Sequence, residues 1–572
     1  MSAPCSAPRP DWVRCGRCGT LHYGKKLARA LNVCHECGHH QPMTAQDRIA
    51  TLTDEGSFAP MNVSVVATDA LAFTDSKPYA GRLAKARAAT GLDDAVLAGT
   101  ARIGGCPVAI AAMDFRFMGG SLGSAVGEMI TLTAETALHR RIPFIVVTAS
   151  GGARMQEGVL ALLQMAKVSQ AIATLKDAGL LTVSVVTDPT YGGVAASFAT
   201  NCDVVVMEQG ARMGFAGPRV IEQTIRQKLP ADFQTADFLL AHGQVDAVQS
   251  RAALPGWLAR LLAATGAAAP GRGAPRVRRR PALDATIITD PARLDEVDAW
   301  QVVGAARGSG RPTTLDYLAG AFSGFVELHG DRAGTDCPSV VAGFALLEGE
   351  PVAVIGQQKG HDTKELVARN FGMPLPSGYR KALRVMRLAA TLAIPIVTIV
   401  DTPGAFPGLE AEAGGQAGAI ADSILGMFGL RTPVVTVVTG EGGSGGALAL
   451  AVADRVLMLE RSTYSVISPE GCSAILWGDA ASAPAAARAL RITARELLGL
   501  GLVDGVVPEP AGGAAADPQA MVAGLGQAVA RVVAELRGTA GDALVRRRRE
   551  RYRSFGTSAI ITRVLVPEAA AV

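Results

Sequence analysis

The 572-residue sequence contains no uninterrupted apolar run of about 18 residues, so no membrane-spanning helix is expected. The N-terminus lacks a basic start followed by an apolar stretch, so no signal peptide is expected and a cytoplasmic location is. A net charge of +4 is too small to argue for nucleic acid. A disulfide framework is also missing: five of the nine cysteines (Cys5, Cys106, Cys202, Cys337 and Cys472) are scattered, which fits a reducing compartment. An acyl-enzyme hydrolase is not the expected reading, although the Gly-x-Ser-x-Gly spacing occurs at Gly119 to Gly123 and at Gly442 to Gly446. The glycines of Gly440 to Gly446 are not followed by Gly-Lys-Ser/Thr, which excludes a phosphate loop, and their spacing fails a dinucleotide fingerprint. What remains, at 49% hydrophobic and 19% charged residues, is a large globular chain with ample core.

The other four cysteines form two Cys-x-x-Cys knuckles, Cys15/Cys18 and Cys34/Cys37, separated by 15 residues. Four thiolates at this spacing predict one structural Zn²⁺ with no open coordination position. A module of this size buries little core, so the metal would supply its folding energy. His35, His39 and His40 read as surface residues, since four thiolates already satisfy the metal. Arg14, Arg17, Lys25, Lys26 and Arg29 keep nucleic acid open as a minor alternative, beside a role as a lid over a neighbouring active site.

Two stretches beyond the ribbon repeat each other. Pro143 and Pro395 lie 252 residues apart, Gly192 and Gly445 253, Asp203 and Asp454 251, and Pro218 and Pro469 251. Each repeat holds an apolar β-branched run, a glycine pair and an Ala-rich stretch, which reads as strand, tight turn and helix. Glycine permits the sharp turn, and the free N–H groups at a helix start lie at the positive end of its dipole. The pairs Gly192/Gly193 and Gly445/Gly446 are therefore candidate oxyanion donors. The expected organisation is a tail and ribbon over 1–43, a first lobe over 44–265, a flexible linker over 266–283 and a second lobe over 284–572. The Arg278–Arg280 run reads as solvation, and the Arg546–Arg553 region as a solvated or partner-facing basic helix.

These features resemble the carboxyltransferase of bacterial acetyl-coenzyme A carboxylase, with its beta and alpha subunits fused in one chain. On the beta side the resemblance rests on Phe117 to Ser121, Ser150 to Glu157, Thr187 to Gly193 and Gly214 to Thr224. On the alpha side it rests on Lys359 to Lys364, Asp401 to Gly408, Gly440 to Gly446 and Ser465 to Cys472. It covers nearly the whole chain outside the linker and the extreme termini.

The resemblance implies an α/β fold of two tandem crotonase/ClpP-like ββα superhelix domains behind the ribbon. It implies that the first lobe binds acetyl-coenzyme A and that the second receives carboxybiotin from a separate carrier protein, giving malonyl-coenzyme A for fatty-acid synthesis. A biotin carboxyl carrier protein and a biotin carboxylase are the implied partners. The Met-Lys-Met biotinylation motif is absent, and no ATP-binding segment is recognisable, although the implied complex is a nucleotide- and ATP-binding one. Substrate-binding residues carried over are Gly151, Gly152, Arg154, Gly214, Phe215, Ala216, Gly217, Pro218, Gly404, Pro469, Glu470 and Gly471. A homodimer equivalent to an alpha2beta2 complex is implied, with each site built from one lobe of each kind. A transferase for propionyl- or another acyl-coenzyme A is the alternative. Tyr191 and His361 depart from the family pattern, which more often has a small residue and an Arg there.

Overall fold

The computed structural model describes residues 12–218, 221–222, 226, 228–267 and 286–555. The expected tail over 1–11, most of the linker including Arg278–Arg280, and part of the 218–227 segment lie outside the described residues.

In the ribbon, Trp12–Arg14 pairs antiparallel with Leu21–Tyr23, and a short helix, Gly24–Arg29, follows. The first lobe's sheet runs, from one edge, Ala247–Gln249, Val204–Glu208, Thr182–Tyr191, Phe144–Ser150, Cys106–Met113, Val96–Ile103 and Ala59–Pro60. The short strand Met213–Gly214 also pairs with the end of Thr182–Tyr191. The second lobe repeats the order from the opposite end of the list: Ser323–Glu327, Val340–Leu347, Glu350–Gln357, Ile396–Thr402, Val434–Gly443, Arg455–Leu459 and Gly505–Val507, with Thr463–Ser465 on Val434–Gly443. In both sheets the three strands at one edge pair antiparallel and the rest are parallel.

The parallel strands are mostly apolar because both sheet faces are covered. Alternate residues point opposite ways. Ala109, Ala111, Phe144 and Val146 pack in one core with helix Ser124–Arg140. Val108, Ile110, Ile145 and Val147 face a second core. That second core does not stop at the lobe: Leu258 and Leu261 of helix Leu254–Ala264 join it to Phe344 and Ile355 of the second sheet. The lobes thus share apolar interior. Asp246 of the first lobe, fully buried, meets Arg332 and Arg384 of the second, the latter at 2.9 Å.

One expectation needs correction. The C-terminal basic helix, Gly541–Ser554, is not simply a solvated face. Arg548 is buried, pairs with Asp454 at 2.6 Å and donates to the carbonyls of Met427, Leu430 and Thr432, while Arg551 pairs with Asp504. Only Arg546, Arg547, Arg549 and Arg553 of that run stay exposed. One helical stretch, Met155–Asp177, is long and apolar enough by length and composition to cross a membrane, a test that a core helix also passes. Its Met155, Val159, Leu162 and Leu163 are exposed in the single chain.

Candidate active sites at two helix starts

Strand pairing sets the correspondence between the lobes. Ser150 pairs with Thr190, and Thr402 with Gly442, each 252 residues on. The short helix after the third parallel strand begins at Gly192 in one lobe and at Ser444 in the other, and both residues sit in the left-handed region, at φ +58° and +57°. The structural equivalents of Gly192 and Gly193 are therefore Ser444 and Gly445. The offset of 253 read from the two glycine pairs is one residue out of step, and Gly446 stands over Val194.

The pair is also divided in its work. The N–H of Gly192 donates to the Phe215 carbonyl at 3.0 Å, so it is not free for an oxyanion. Gly192 instead supplies the turn and a close approach: a Cβ there would lie 3.1 Å from Gly152 Cα. Among the described residues, the N–H groups of Gly193 and Ala153 have no acceptor. They lie side by side, since a Cβ on Gly193 would be 3.5 Å from that of Ala153. In the second lobe the N–H groups of Gly445, Gly446 and Ala405 have no acceptor among the described residues either. A Cβ on Gly446 would meet the Ala405 nitrogen at 2.4 Å, so only glycine lets that loop reach the helix start.

The loop carrying each alanine is shaped alike. Gly152 N–H donates to Ser150 Oγ at 3.0 Å, and Gly404 N–H to Thr402 Oγ1 at 3.1 Å. These two glycines flank the donors without offering one. Gly151 donates to the Gly119 carbonyl at 2.8 Å. Ala153 and Ala405 went unnoticed in the sequence because any residue type can offer a backbone N–H.

Of the remaining sequence candidates, Arg154 is 1% exposed and wholly engaged inside the lobe. It bonds Asp94 at 2.6 and 3.0 Å, Ser121 at 3.0 Å, Tyr79 and Glu157, and lies over the Phe117 ring. Burial works against its charge, but Asp94 more than offsets that, and the guanidinium is held above its ordinary pKa. Its role is to frame the loop, not to touch a substrate. Gly214, Phe215, Ala216, Gly217 and Pro218 form the segment beside Gly192, held by Gln234 Nε2 on the Ala216 carbonyl at 3.0 Å. Phe215 and its counterpart Val466 are 75% and 72% exposed. Pro469, Glu470 and Gly471 open helix Pro469–Leu476, which Ser468 caps on Gly471 N–H. Glu470 pairs with Arg307 at 2.6 Å, and that ion pair lowers its pKa. Tyr191 ends the strand before the first helix start, and burial raises its pKa. His361 lies between the Ser309 carbonyl, at 2.9 Å, and Asp316 Oδ2, at 2.8 Å.

In the ribbon, the sulfurs of Cys15, Cys18, Cys34 and Cys37 all lie within 4.8 Å of one another. Cys15–Cys37 is 3.6 Å and Cys18–Cys34 is 3.7 Å. A tetrahedron with Zn–S of about 2.3 Å has edges of about 3.8 Å, so the set fits such an ion. The ribbon is fixed to the first lobe by Glu208, buried between His40, Arg48 and Arg251. Burial raises the Glu208 pKa, but the His40 hydrogen bond and the Arg48 and Arg251 guanidiniums reverse that and drive it far below the usual carboxylate range. His40 is therefore an anchor and not a free surface residue.

A family model described as acetyl co-enzyme A carboxylase carboxyltransferase-like matches residues 289–556, and a carboxyl transferase domain model matches 41–236. The acetyl-coenzyme A carboxylase carboxyl transferase subunits beta/alpha of Salinispora tropica are 58% identical over 96% of this chain and 97% of that protein. Those of Salinispora arenicola are 59% identical over 96% of both. The chain belongs to the acetyl-coenzyme A carboxylase carboxyltransferase family, with beta and alpha parts fused. It is an enzyme, a carboxyl transferase. The crystal structure of transcarboxylase 12S with methylmalonyl-coenzyme A bound shares the tandem crotonase-like fold, with a TM-score of 0.67 at 23% identity over 90% of this chain and 93% of that one. Neither family model describes a nucleotide- or ATP-binding segment, so that expectation is not carried to this chain.

Proposed function

We propose that the chain transfers a carboxyl group from carboxybiotin, presented by a separate carrier protein, to acetyl-coenzyme A, giving malonyl-coenzyme A. A biotin carboxylase would recharge the carrier, and the reading carries with it a cytosolic location. The observation that supports it most is the duplicated donor pair: Ala153 and Gly193 in one lobe, Ala405 and Gly445 in the other. Two anions develop in this reaction, and each needs its own donors. In the second lobe the Gly445 and Ala405 N–H groups receive the biotin ureido oxygen as the N–carboxyl bond breaks and CO2 departs. The ureido nitrogen, now anionic, removes a proton from the acetyl methyl. In the first lobe the Gly193 and Ala153 N–H groups hold the enolate oxygen while the carbanion captures CO2. No side chain has to act as general base.

The two donor pairs must face one reaction space, so the working unit is a homodimer in which a first lobe meets the partner's second lobe. The exposed Met155, Val159, Leu162 and Leu163 near one loop, and Leu409 and Leu425 near the other, are the apolar surface such a partner would cover. In the ribbon, Cys15, Cys18, Cys34 and Cys37 hold Zn²⁺, which supplies folding energy and no chemistry. Metal analysis of the purified chain should return one zinc, and its absence would end that assignment. The function itself is tested by incubating the protein with biocytin and malonyl-coenzyme A. Appearance of acetyl-coenzyme A supports it, and silence with an active preparation overturns it. Equal kcat/KM for acetyl- and propionyl-coenzyme A would favour the broader acyl-coenzyme A transferase.

A further inference from the structure

The second lobe carries an ion network that the first lobe lacks. Lys359 Nζ lies 2.7 Å from Asp401 Oδ1 and 2.8 Å from Glu441 Oε2. Asp401 ends four residues before Ala405, and Glu441 four before Gly445, so one ammonium joins the two segments that deliver the two donors. Glu441 N–H donates to Asp401 Oδ1 at 2.9 Å, closing the triangle. Gln357 bridges the same segments by its amide, accepting from Asp401 N–H at 3.1 Å and donating to the Gly446 carbonyl at 3.0 Å. The Lys359 side chain is 14% exposed, and its stem runs against Gly372, where a Cβ would lie 2.7 Å from Lys359 Cγ. Arg307 extends the network from Glu441, at 2.7 Å, to Glu470. Burial opposes the charge on Lys359, but the two carboxylates outweigh it and hold the amine above its ordinary pKa.

Strand register identifies the same positions in the first lobe. Met113 pairs in its hairpin with Val96, as Gln357 does with Val340, so Phe115 stands where Lys359 does. Ala149 stands where Asp401 does, and Pro189 where Glu441 does. None of the three is charged. The scaffold therefore does not require the triad, and its presence in one lobe points to the chemistry of that lobe.

We propose that Lys359 is a positioning residue for the second lobe's anion site, setting the separation of the Ala405 and Gly445 N–H groups. Without it, Asp401 and Glu441 become two buried like charges in contact, which must separate or take up a proton. Either response moves one donor segment away from the other. The inference rests on the reading that this lobe receives carboxybiotin.

The test is malonyl-coenzyme A-to-biocytin transfer by the full chain. Lys359→Gln should lower kcat about 10²-fold, the scale of losing one oxyanion donor. KM for malonyl-coenzyme A, set by the other lobe, should be unchanged, while the thermal midpoint falls because two buried carboxylates lose their cation. Lys359→Arg, which keeps the charge, should recover most of the loss. Should Lys359→Gln fail to fold, Glu441→Gln keeps the Lys359–Asp401 pair and should show the same kcat-only defect. Wild-type kcat in a folded Lys359→Gln or Glu441→Gln protein, or a loss that falls equally on KM for malonyl-coenzyme A, overturns the proposal. A wild-type chain inert toward biocytin would instead bring down the function on which it rests.

Discussion

In the first lobe, the loop carrying Ala153 is tied down by the next residue, Arg154, whose guanidinium is sunk onto Asp94. In the second lobe that place is taken by Phe406, and the loop carrying Ala405 is tied from its other end by Lys359 through Asp401. The backbone outcome is the same: a hydroxyl, Ser150 or Thr402, holds the glycine before each donor, and a left-handed residue opens each helix. The duplicated fold has kept its main-chain donors and exchanged the charges that brace them. A backbone oxyanion site is fixed by sheet register and helix start, which are costly to change, whereas the ion pairs behind it can be rebuilt from different strands.

That contrast is broken most forcefully at Arg154. Arg154→Ala leaves Asp94 and Glu157 buried beside Tyr79 with no cation, and removing one partner of such a pair costs about 3–5 kcal/mol. Urea unfolding should show that loss. A change below about 1 kcal/mol, the worth of an exposed pair, would mean that packing alone holds the first loop.

Deleting the donors comes next. Gly193→Pro and Gly445→Pro each remove one N–H in the first turn of a helix, where proline is tolerated. Each should cost about 10²–10³ in turnover. The first variant should lose exchange of the acetyl methyl protons, and the second should lose decarboxylation of carboxybiotin without an acyl acceptor. Circular dichroism and a sizing column must first show an intact fold. Gly446→Pro sharpens the register: if it abolishes carboxybiotin turnover while Gly445→Pro does not, the lobes correspond as their glycine pairs do and not as their strands do.

Much of this was legible in the sequence. The four thiols, the tandem repeat and the loops around Gly152 and Gly404 are local patterns, and local patterns survive without coordinates. The one-residue error at Gly445 arose because letters were matched where hydrogen-bonded strands decide, and Ser444 does at φ +57° what Gly192 does at +58°. Arg154 was read as a substrate contact because a motif shows that an arginine is present but not which way it points. Arg548 was lost in a run of arginines, since its partner Asp454 is 94 residues away. The Lys359 network was invisible for the same reason, its partners being 42 and 82 residues distant.

A smaller effect distinguishes the lobes by substrate. On the proposed reading the acyl group is handled beside Gly193, so a preference for acetyl- over propionyl-coenzyme A would belong to the first lobe. One methylene is worth about 1–3 kcal/mol, or roughly 10–200-fold in kcat/KM. Lys359→Gln, which acts on the other lobe, should leave that ratio as it is. A ratio that moved with it would show that the two sites are not separable.

The smallest effect concerns His361, which braces the second lobe from the surface and stands where the family pattern more often has Arg. Its two ring nitrogens face the Ser309 carbonyl and Asp316 Oδ2, and both are satisfied as donors only by the imidazolium. The Ser309 carbonyl first, and Asp316 with it, raise its pKa above 6.5. A raised folded-state pKa means that its contribution to stability is complete below the unfolded value of 6.5 and is lost as pH rises through the folded value. The side chain is 45% exposed, so solvent screens much of the interaction and the slope is shallow. Thermal midpoints should therefore fall slightly from about pH 6 to about pH 8, across the range where histidine titrates. His361→Arg keeps a cation at every pH in that range and should flatten the difference while leaving turnover intact. A midpoint difference that is the same in both proteins would assign the pH dependence to another group, with His329, raised by Asp336 and Glu327 against its burial, the first to examine.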